Sequence, residues 1–450
     1  MIQLYDYYNQ ASQDLHQSLS VAGFKGDVIV IDPDGFLPEG ILSPFTAYVE
    51  SEHETGKPLF FDQVPVPDFW EITGNNQGAK VSNLLQERAR ISYAEGEQVR
   101  LVKRVDWLNL AGTIRQTDHY NKYGFCFAKT TYDGDGQAIF TRYVTREGAE
   151  RILENHVTGD ILLTLEAQPI QHFANRREFV KDFLKRHTDL TQSMIFNTLA
   201  MSFMVSFELR DHVGGDALVW QEPLGDEIPG NMRLILEDNG LRANRVFIPD
   251  AATYARAMAL VSKEQQHKII PLGYSYQFKR DNFVRKTALT LTNSDQIEQL
   301  ETLVQALPDV TFRVAAVTEM SDKLMSMLRY PNVTLHQNAS QNQIANLYKT
   351  CDLYLDINYS TELLQATRQA FDNNLLILAF EETAHGLTYT PSEHIYPKAQ
   401  VDQMIQQIKD ATQDVSGMSA ALIAQGRHAN YLDSQTFAAR IQLYLGGQDA

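Results

Sequence analysis

The sequence predicts an α/β protein of two Rossmann-like domains, with an antiparallel β-sheet domain inserted into the first. Strands and helices alternate regularly after residue 269, which is typical of a parallel sheet covered on both faces. Between residues 65 and 185, short β-branched and aromatic runs alternate with polar residues, as in antiparallel strands. We therefore expect domain I over residues 1–64 and 186–268, the insert over 65–185 and domain II over 269–450.

Domain I begins with a helical pattern. Apolar residues recur on one face from Ala11 to Ala22, and Gly23 ends the pattern. Residues 27–31 then form a short apolar strand, which an Asp-Pro-Asp-Gly turn terminates. After the insert we expect helices at 192–207, 232–238 and from 251 onward, and strands at 217–220 and 245–248. This order is that of a Rossmann layer.

The insert is predicted from strand-like runs at 98–107, 125–132 and 138–144. The last two are joined by an Asp-Gly-Asp-Gly hairpin turn, and a helix through Phe179 and Phe183 leads back to domain I. The aromatic residues of the insert are Trp107, Tyr120, Tyr123, Phe125 and Phe127. Alternation divides such residues between the two faces of a sheet, so some fill the insert's core and others are available to a partner.

Domain II shows the alternation most clearly. Strands are expected at 288–291, 311–315, 333–335, 353–357 and 375–380, and helices at 293–306, 320–328, 342–349 and 361–372. Asn293 with Gln296 resembles a capping box for the first of these helices.

Composition restricts the function. The 450-residue chain carries 39 basic and 56 acidic side chains, and its net charge of −17 opposes nucleic-acid binding, apart from any local basic patch. No secretory signal pattern precedes the first helix, and no run approaches the roughly 20 apolar residues that cross a bilayer. We expect a cytoplasmic protein with at most peripheral membrane contact. Cys126 and Cys351 have no His or Cys at ligand spacing, and we predict no metal and no cofactor.

Several stretches match one bacterial family: residues 7–42, 104–108, 118–124, 220–232 and 351–358. Together they resemble the stabilising, non-catalytic subunits of the O-GlcNAc transferase of accessory Sec systems. The resemblance covers essentially the whole chain. It implies the GT-B glycosyltransferase architecture, in which the catalytic sister subunit shares the same layout.

The resemblance also implies a function. The catalytic sister adds the first N-acetylglucosamine from UDP-GlcNAc to Ser and Thr of a serine-rich repeat adhesin before export. The subunit resembled here binds the adhesin and keeps the sister active. The two assemble through the inserted β-domain into a heteromer, with two plus two subunits as one option, at the cytoplasmic face of the membrane. In that case the insert aromatics are partner-interface candidates, on one face or on an open edge.

The donor-site motif of active GT-B enzymes is lost. Those enzymes carry two glutamates on one helix with seven residues between them, followed by a small-Gly-x-Pro turn. Thr361 and Gln369 occupy those positions here, and the turn reads Asn-Asn-Leu-Leu. We interpret the chain as a scaffold that kept its fold after losing its catalytic groups, and we predict no catalytic residue.

Two features leave an active donor site open. Lys279, Arg280, Arg285 and Lys286 precede the first strand of domain II and could hold a diphosphate. A solvated basic loop is the favoured interpretation, because the carboxylate partners are missing. Glu362 could replace the first glutamate, but a shift of one residue turns a helical side chain by roughly 100°.

The acceptor-cleft candidates are Arg313, His336, Asn358, Glu362 and His385, which lie on or after predicted strands of domain II. Ligands bind at that side of open α/β sheets, although a single His in a loop is more often a surface or capping residue. We favour a cleft between the Rossmann domains that holds an extended Ser- and Thr-rich peptide. The alternatives are an active retaining glycosyltransferase with an atypical donor site, and a module that binds only GlcNAc-modified repeats.

Overall fold

A computed structural model describes residues 1–51, 53–75, 77–94 and 100–445. Over these residues the chain forms two compact units. Unit 1 comprises Met1–Leu272 together with the end of the chain from Ala438, and unit 2 comprises Gly273–Phe437. The predicted domain II ran to residue 450, so unit 2 differs from it at the end of the chain.

The chain end is tied to unit 1 by Arg440. Its guanidinium donates hydrogen bonds to the carbonyl oxygens of Pro271 and Leu272, at 2.9 Å each. Ile441 is fully buried. The last helix therefore returns to the unit in which the chain began.

Unit 1 opens with elements of a parallel sheet. They are β1 (Ile2–Tyr5), α1 (Gln10–Val21), β2 (Val28–Val30) and β3 (Ile41–Leu42). The Asn9 side chain accepts a hydrogen bond from the Ser12 N–H at 3.1 Å and caps α1. The strand β1 is not among the predicted elements, because its four consecutive buried residues show no periodicity.

The insert is an antiparallel sheet in which the strands follow each other in chain order. They are β4 (Glu71–Gly74), β5 (Ala79–Asn83), β6 (Gln86–Tyr93), β7 (Val102–Leu108), β8 (Ile114–Tyr120), β9 (Cys126–Tyr132), β10 (Ala138–Val144), β11 (Glu150–Asn155), β12 (Ile161–Leu163) and β13 (Gln171–Phe173). Within the described residues β4 and β13 are its edge strands. Residues 98 and 99 of the predicted strand 98–107 lie outside the described part.

Unit 1 then returns to α/β structure. The elements are α2 (Arg176–His187), β14 (Met194–Phe196), α3 (Met201–Glu208), β15 (Asp216–Val219), α4 (Gly230–Glu237), β16 (Ala243–Ile248), α5 (Ala251–Leu260) and β17 (Ile269–Pro271). The predicted helix over 192–207 is wrong, because its first part is β14. The Asp6 carboxylate accepts from the N–H groups of Met201 and Ser202 at 3.0 and 2.7 Å, and this cap sets the start of α3.

The parallel sheet of unit 1 has the strand order β17-β16-β15-β14-β1-β2-β3 over the described residues. The strands β1 and β14 are neighbours, with Gln3 beside Ile195, although the whole insert separates them in sequence. The insert therefore interrupts the domain without disturbing its sheet.

Unit 2 is a second parallel α/β unit. Its elements are β18 (Thr287–Thr292), α6 (Leu300–Ala306), β19 (Thr311–Ala316), α7 (Asp322–Met325), β20 (Val333–His336), α8 (Gln341–Thr350), β21 (Leu353–Asp356), α9 (Ala366–Asp372), β22 (Leu376–Phe380), β23 (Ile395–Tyr396), α10 (Val401–Gln413), α11 (Val415–His428) and α12 (Ser434–Leu445), which continues into unit 1. The strand order is β20-β19-β18-β21-β22-β23 in the part described.

Both faces of the unit 2 sheet are covered. Leu353 and Leu355 pack into one apolar cluster, whereas Tyr354 between them packs into another. The five strands predicted in domain II are confirmed. The two helices predicted to begin at residues 293 and 361 begin at Leu300 and Ala366 instead. The residues before each helix are therefore loops, and these two loops contribute to the candidate site.

Candidate functional site

Ligands bind to parallel α/β sheets at the carboxyl ends of the strands. In unit 2, β18, β21 and β22 end side by side at Thr292, Asp356 and Phe380. We call this place, with the loops that follow these strands, the ligand edge. Four of the predicted site residues lie there: Asn358, Thr361, Glu362 and His385.

His385 is held between the end of β21 and the loop that follows it. Its Nδ1 lies 2.6 Å from Asp356 Oδ1, and its Nε2 lies 2.7 Å from the carbonyl oxygen of Ser360. The His385 N–H also donates to Asp356 Oδ2 at 2.6 Å. Asp356 is 2% exposed. Hydrogen bonding to Asp356 raises the pKa of His385 above its usual value, although burial opposes this shift.

Glu362 caps α9. Its Oε1 accepts from the backbone N–H of Thr367 at 2.8 Å and from the Thr367 hydroxyl at 2.5 Å. The predicted helix start at residue 361 is wrong because Leu364 and Gln365 have φ values of 51° and 52°, in the left-handed region. Glu362 therefore precedes the helix and caps its N-terminus.

Thr361 and Gln369 do not share a helical face, because only Gln369 belongs to α9. Thr361 is exposed in the loop, with its hydroxyl 3.5 Å from the Asn293 side-chain nitrogen. The Gln369 side-chain oxygen accepts from Lys279 Nζ at 3.0 Å. The two positions that carry the paired glutamates of active enzymes are thus structurally separate.

The loop after β18 folds across the ligand edge. The Glu298 N–H donates to the carbonyl of Ile357 at 2.8 Å, and the Tyr359 N–H donates to the carbonyl of Gln296 at 3.1 Å. The Tyr359 hydroxyl also donates to Glu298. The predicted capping box at Asn293 and Gln296 is therefore wrong, since this segment pairs with the loop after β21 instead of starting a helix.

Asn358 holds the same two loops. It is 3% exposed, its Oδ1 accepts from the Thr292 hydroxyl at 2.8 Å, and its Nδ2 donates to the carbonyl of Ser360 at 3.4 Å. Its amide is thus engaged within the protein.

The four cations lie at the opposite edge of the sheet. Asp352, just before β21, accepts from the Arg280 guanidinium and from the Arg285 N–H, both at 2.6 Å. The Lys279 N–H donates to the carbonyl of Asp372 at the end of α9, and the Lys286 carbonyl accepts from Thr311 at the start of β19. The structure does not bring these side chains to the ligand edge.

Arg313 and His336 lie on neighbouring strands, with β18 between them and β21. Arg313 donates to the Thr350 hydroxyl at 2.6 Å. His336 ends β20, and burial together with Arg313 lowers its pKa. Strands are about 4.8 Å apart, so neither residue adjoins the loop after β21.

The insert aromatics are largely internal. Tyr120, Phe125 and Phe127 are buried at 7, 9 and 2% exposure, while Trp107 and Tyr123 are half-buried. The Trp107 indole N–H donates to Asp118 Oδ2 at 2.8 Å. These residues mainly build the core of the insert.

Other apolar residues of the insert are exposed. Phe69, Leu84 and Leu110 are 97, 90 and 75% exposed, and Leu85 is fully exposed. Glu71 pairs with Ser82, so Phe69, just before β4, lies at the same end of the sheet as the turn with Leu84. The Gln86 side chain after this turn donates to the Leu110 carbonyl at 3.2 Å. We call these four residues the apolar corner. The only sequence signal for it is two leucines in a hairpin turn between Asn83 and Gln86.

Comparison with known proteins identifies the family. Family models match in chain order: the GtfB N-terminal domain at residues 2–48, the GtfB middle domain at 70–174, the GtfB third domain at 176–260 and the GftB/GlyA-F C-terminal domain at 288–425. The UDP-N-acetylglucosamine–peptide N-acetylglucosaminyltransferase stabilizing protein GtfB of Streptococcus pneumoniae serotype 4 is 55% identical, over 99% of this chain and 100% of its own length. The chain belongs to the GtfB family.

Solved structures agree with membership of the GtfB family. One chain of a GtfA/B complex bound to UDP and GlcNAc is 52% identical and superposes with a TM-score of 0.93, covering 99% of this chain and 100% of that one. The pneumococcal O-GlcNAc transferase GtfA, with UDP and GlcNAc, superposes at 0.50 with 13% identity, over 99 and 98% of the two chains. That likeness concerns the fold alone. The predicted GT-B architecture with an inserted β-domain is confirmed.

The described residues of this GtfB-family chain contain no helix that is both long and apolar enough to span a membrane. They also contain no group of three or more His, Cys, Asp or Glu side chains placed to hold a metal.

Proposed function

We propose that this chain is the non-catalytic, stabilising subunit of a peptide N-acetylglucosaminyltransferase. The observation that carries the proposal is that its own groups fill the ligand edge of unit 2. Glu362 binds the N-terminus of α9, His385 holds Ser360, and residues 296–298 pair with 357–359. The S. pneumoniae relative is named a stabilizing protein, and the similar solved chain belongs to a complex bound to UDP and GlcNAc.

The electrostatics support a loss of donor chemistry. Sugar transfer from a nucleotide requires cations or helix N–H groups at the diphosphate, because charge develops there. Here the Thr367 N–H binds Glu362, and Arg280 pairs with Asp352 at the other edge. The His385 ring at the ligand edge is already engaged by Asp356 and Ser360, and the Glu362 carboxylate would repel a diphosphate there. We therefore assign the chemistry to a partner glycosyltransferase.

We infer that the acceptor is an extended Ser- and Thr-rich segment of a serine-rich repeat adhesin. It would be glycosylated on the cytoplasmic side, with the complex in peripheral contact with the membrane, before accessory Sec export. The rim of the ligand edge supports this with neutral polar groups and an aromatic ring: Asn293 and Thr361 are exposed, and Tyr359 is 42% exposed. Such groups can bind hydroxyl-rich chains through many modest contacts.

We assign the docking of the partner glycosyltransferase to the apolar corner of the insert. Exposed apolar patches mark interaction sites, and the corner adjoins the edge strand β4. An edge strand has unpaired backbone groups that can extend a sheet onto another chain. The buried positions of Tyr120, Phe125 and Phe127 leave the corner as the better candidate.

The test is a transfer assay on a serine-rich peptide with UDP-GlcNAc, using the chain alone, the catalytic partner alone and both together. We expect no transfer by the chain alone and a clear increase when it is added to the partner. Isothermal titration of the chain alone with UDP and UDP-GlcNAc should give no binding heat. Turnover by the isolated chain would refute the proposal. Binding to GlcNAc-bearing repeats but not to bare ones would indicate a binding module for modified repeats.

The matched variant is Glu362→Gln. An amide oxygen can still accept from the Thr367 N–H, so the variant should stimulate the partner as well as the unchanged chain does. If Glu362 instead contacted a bound donor sugar, the variant would abolish transfer.

A further inference from the structure

The loop between β21 and α9, residues 357–365, has a strained backbone. Leu364 and Gln365 follow each other in the left-handed region, at φ values of 51° and 52°. For a residue with a Cβ this conformation is strained, so it persists only where surrounding contacts hold it. The contacts of this loop therefore decide whether it stays closed.

His385 is the contact at the centre of the loop. Its two ring nitrogens lie 2.6 Å from Asp356 Oδ1 and 2.7 Å from the Ser360 carbonyl oxygen. A carbonyl oxygen can only accept, and so can an ionised carboxylate. The two contacts are satisfied together only when both ring nitrogens carry a proton, that is, in the imidazolium form of the ring. A neutral ring would turn one lone pair towards an oxygen lone pair at hydrogen-bond distance.

The charges facing His385 favour this state. Asp356 of β21 bonds to it directly, and Glu362 of the loop adds a second negative charge. On the neighbouring elements, burial and these same carboxylates raise the pKa values of Tyr348 in α8 and Tyr354 in β21, which keeps both phenols neutral. His385 therefore interacts with two carboxylates, and the two phenols that share these carboxylates add no charge.

We propose that His385 is a proton-dependent clasp that keeps the loop after β21 closed over the ligand edge. As an imidazolium it joins the end of β21 to Ser360, and the loop in turn positions Glu362 on α9. Loss of its proton removes the Nε2–H donor to Ser360 and lets the strained segment open. The clasp regulates the same edge that the proposed function assigns to peptide binding, and its effect on binding rests on that function.

The sign of the pH dependence follows from the raised pKa of His385. A histidine whose pKa is higher in the folded state contributes stability that is fully present below its unfolded pKa, about 6.5. The contribution is lost as the pH rises through the folded value. The loop should therefore be closed in mildly acidic solution and open progressively above pH 6.5.

The first test follows the wild-type chain alone. Histidine-labelled protein gives the titration of His385 by NMR, assigned with the variant His385→Gln. Hydrogen–deuterium exchange of residues 357–367 is then measured from pH 6 to pH 9 and corrected for the intrinsic pH dependence. We expect a pKa above 6.5 and protection that falls at least tenfold through that pKa. Protection that stays constant, or a pKa at or below 6.5, would overturn the proposal.

Variants separate the clasp from general stability. In His385→Gln we expect low, pH-independent protection confined to residues 357–367. In Asp356→Asn, which keeps the shape but removes the charge, the loss of protection should move to lower pH. The control is His428→Gln, because that ring contacts the Leu387 carbonyl at 2.7 Å and not the loop. If a variant shows faster exchange across all of unit 2, its fold is impaired. The pH dependence of exchange in the wild-type chain then tests the clasp by itself.

Peptide binding is measured separately, by titrating a bare serine-rich peptide at pH 6.5 and at pH 8.5. We expect the affinity to change at least threefold between the two values in the wild-type chain and to be equal in His385→Gln. If the peptide does not bind at either pH, the proposed function is rejected. The hydrogen–deuterium exchange data would still test the clasp, because they do not depend on peptide binding. If the wild-type chain binds the peptide equally well at pH 6.5 and pH 8.5, the clasp does not affect peptide binding.

Discussion

At the scale of single residues, Asp216 and Arg242 are the most fully enclosed ion pair described in unit 1. Their side chains are 0 and 1% exposed, and they meet at 2.9 and 3.0 Å through two nitrogens. Ser206 also donates to Asp216, at 2.7 Å. The remaining Arg242 N–H groups bind backbone carbonyls, including that of Leu190 at 2.6 Å. The pair therefore joins β15 to the segments around it.

Breaking this pair should be costly. Asp216→Ala leaves the guanidinium buried without its counter-charge, and losses of about 3–5 kcal/mol are typical of that change. We expect a clear fall in the midpoint of thermal unfolding. The control is Asp226→Ala, which removes an exposed partner of Arg256 and should change the midpoint little. If both variants lower the unfolding midpoint equally, burial of the ion pair does not determine how much it stabilises the protein.

Residue identity predicted part of the candidate site. The missing carboxylates at Thr361 and Gln369 indicated a lost donor site. Glu362 and His385 lie at the ligand edge, and their role as acceptor-cleft residues stays a prediction. Their partners, Thr367 and Ser360, could not be predicted. Both lie within hydrogen-bond reach only because the loop takes a left-handed turn, and neither Leu364 nor Gln365 signals such a turn.

At the scale of elements, the start of α9 is set by backbone conformation. Gln365 lies just before the helix with φ 52° and ψ 47°, where glycine is the usual residue. The sequence places two bulky residues there, so helical periodicity continues across a point where the backbone does not. The strands β21 and β22 were easier to predict, because each is a short, largely apolar run.

The variant Gln365→Gly should therefore stabilise the protein by about 0.5–1 kcal/mol, since glycine accepts the left-handed conformation without a Cβ clash. Gln406→Gly is the matched control at an exposed position inside α10, where the same change should cost about 1 kcal/mol. Denaturant titration measures both. A loss of stability in Gln365→Gly would indicate that the Gln365 side chain, and not its backbone, is what the fold requires.

At the scale of the whole molecule, the fold class was predictable because strand and helix alternate over hundreds of residues. The apolar corner was not predictable. Leu84 and Leu85 resemble buried strand residues in sequence, and only the hairpin geometry exposes them. Conversely, three of the five aromatic interface candidates, Tyr120, Phe125 and Phe127, are buried in the core of the insert.

Charge at the apolar corner should disrupt assembly. In the double variant Leu84→Asp, Leu85→Asp, two carboxylates would have to be desolvated in an apolar contact, so we expect the affinity for the catalytic partner to fall at least tenfold. Ile423→Asp is the control, since Ile423 is 60% exposed on α11 of unit 2. Co-purification and titration with the partner measure the effect. If the double variant binds the partner as tightly as the unchanged chain, the partner docks at a different surface.

Because α12 leaves unit 2 at Phe437 and enters unit 1 at Ala438, the segment Gly273–Phe437 is a single continuous stretch whose two ends both join the same neighbour. Such a segment can be exchanged between relatives as one cassette by cutting the gene at two places. Chimaeras made in this way would transplant the proposed loop clasp without altering the apolar corner, and would show which unit sets binding of the proposed peptide and which sets binding of the partner enzyme.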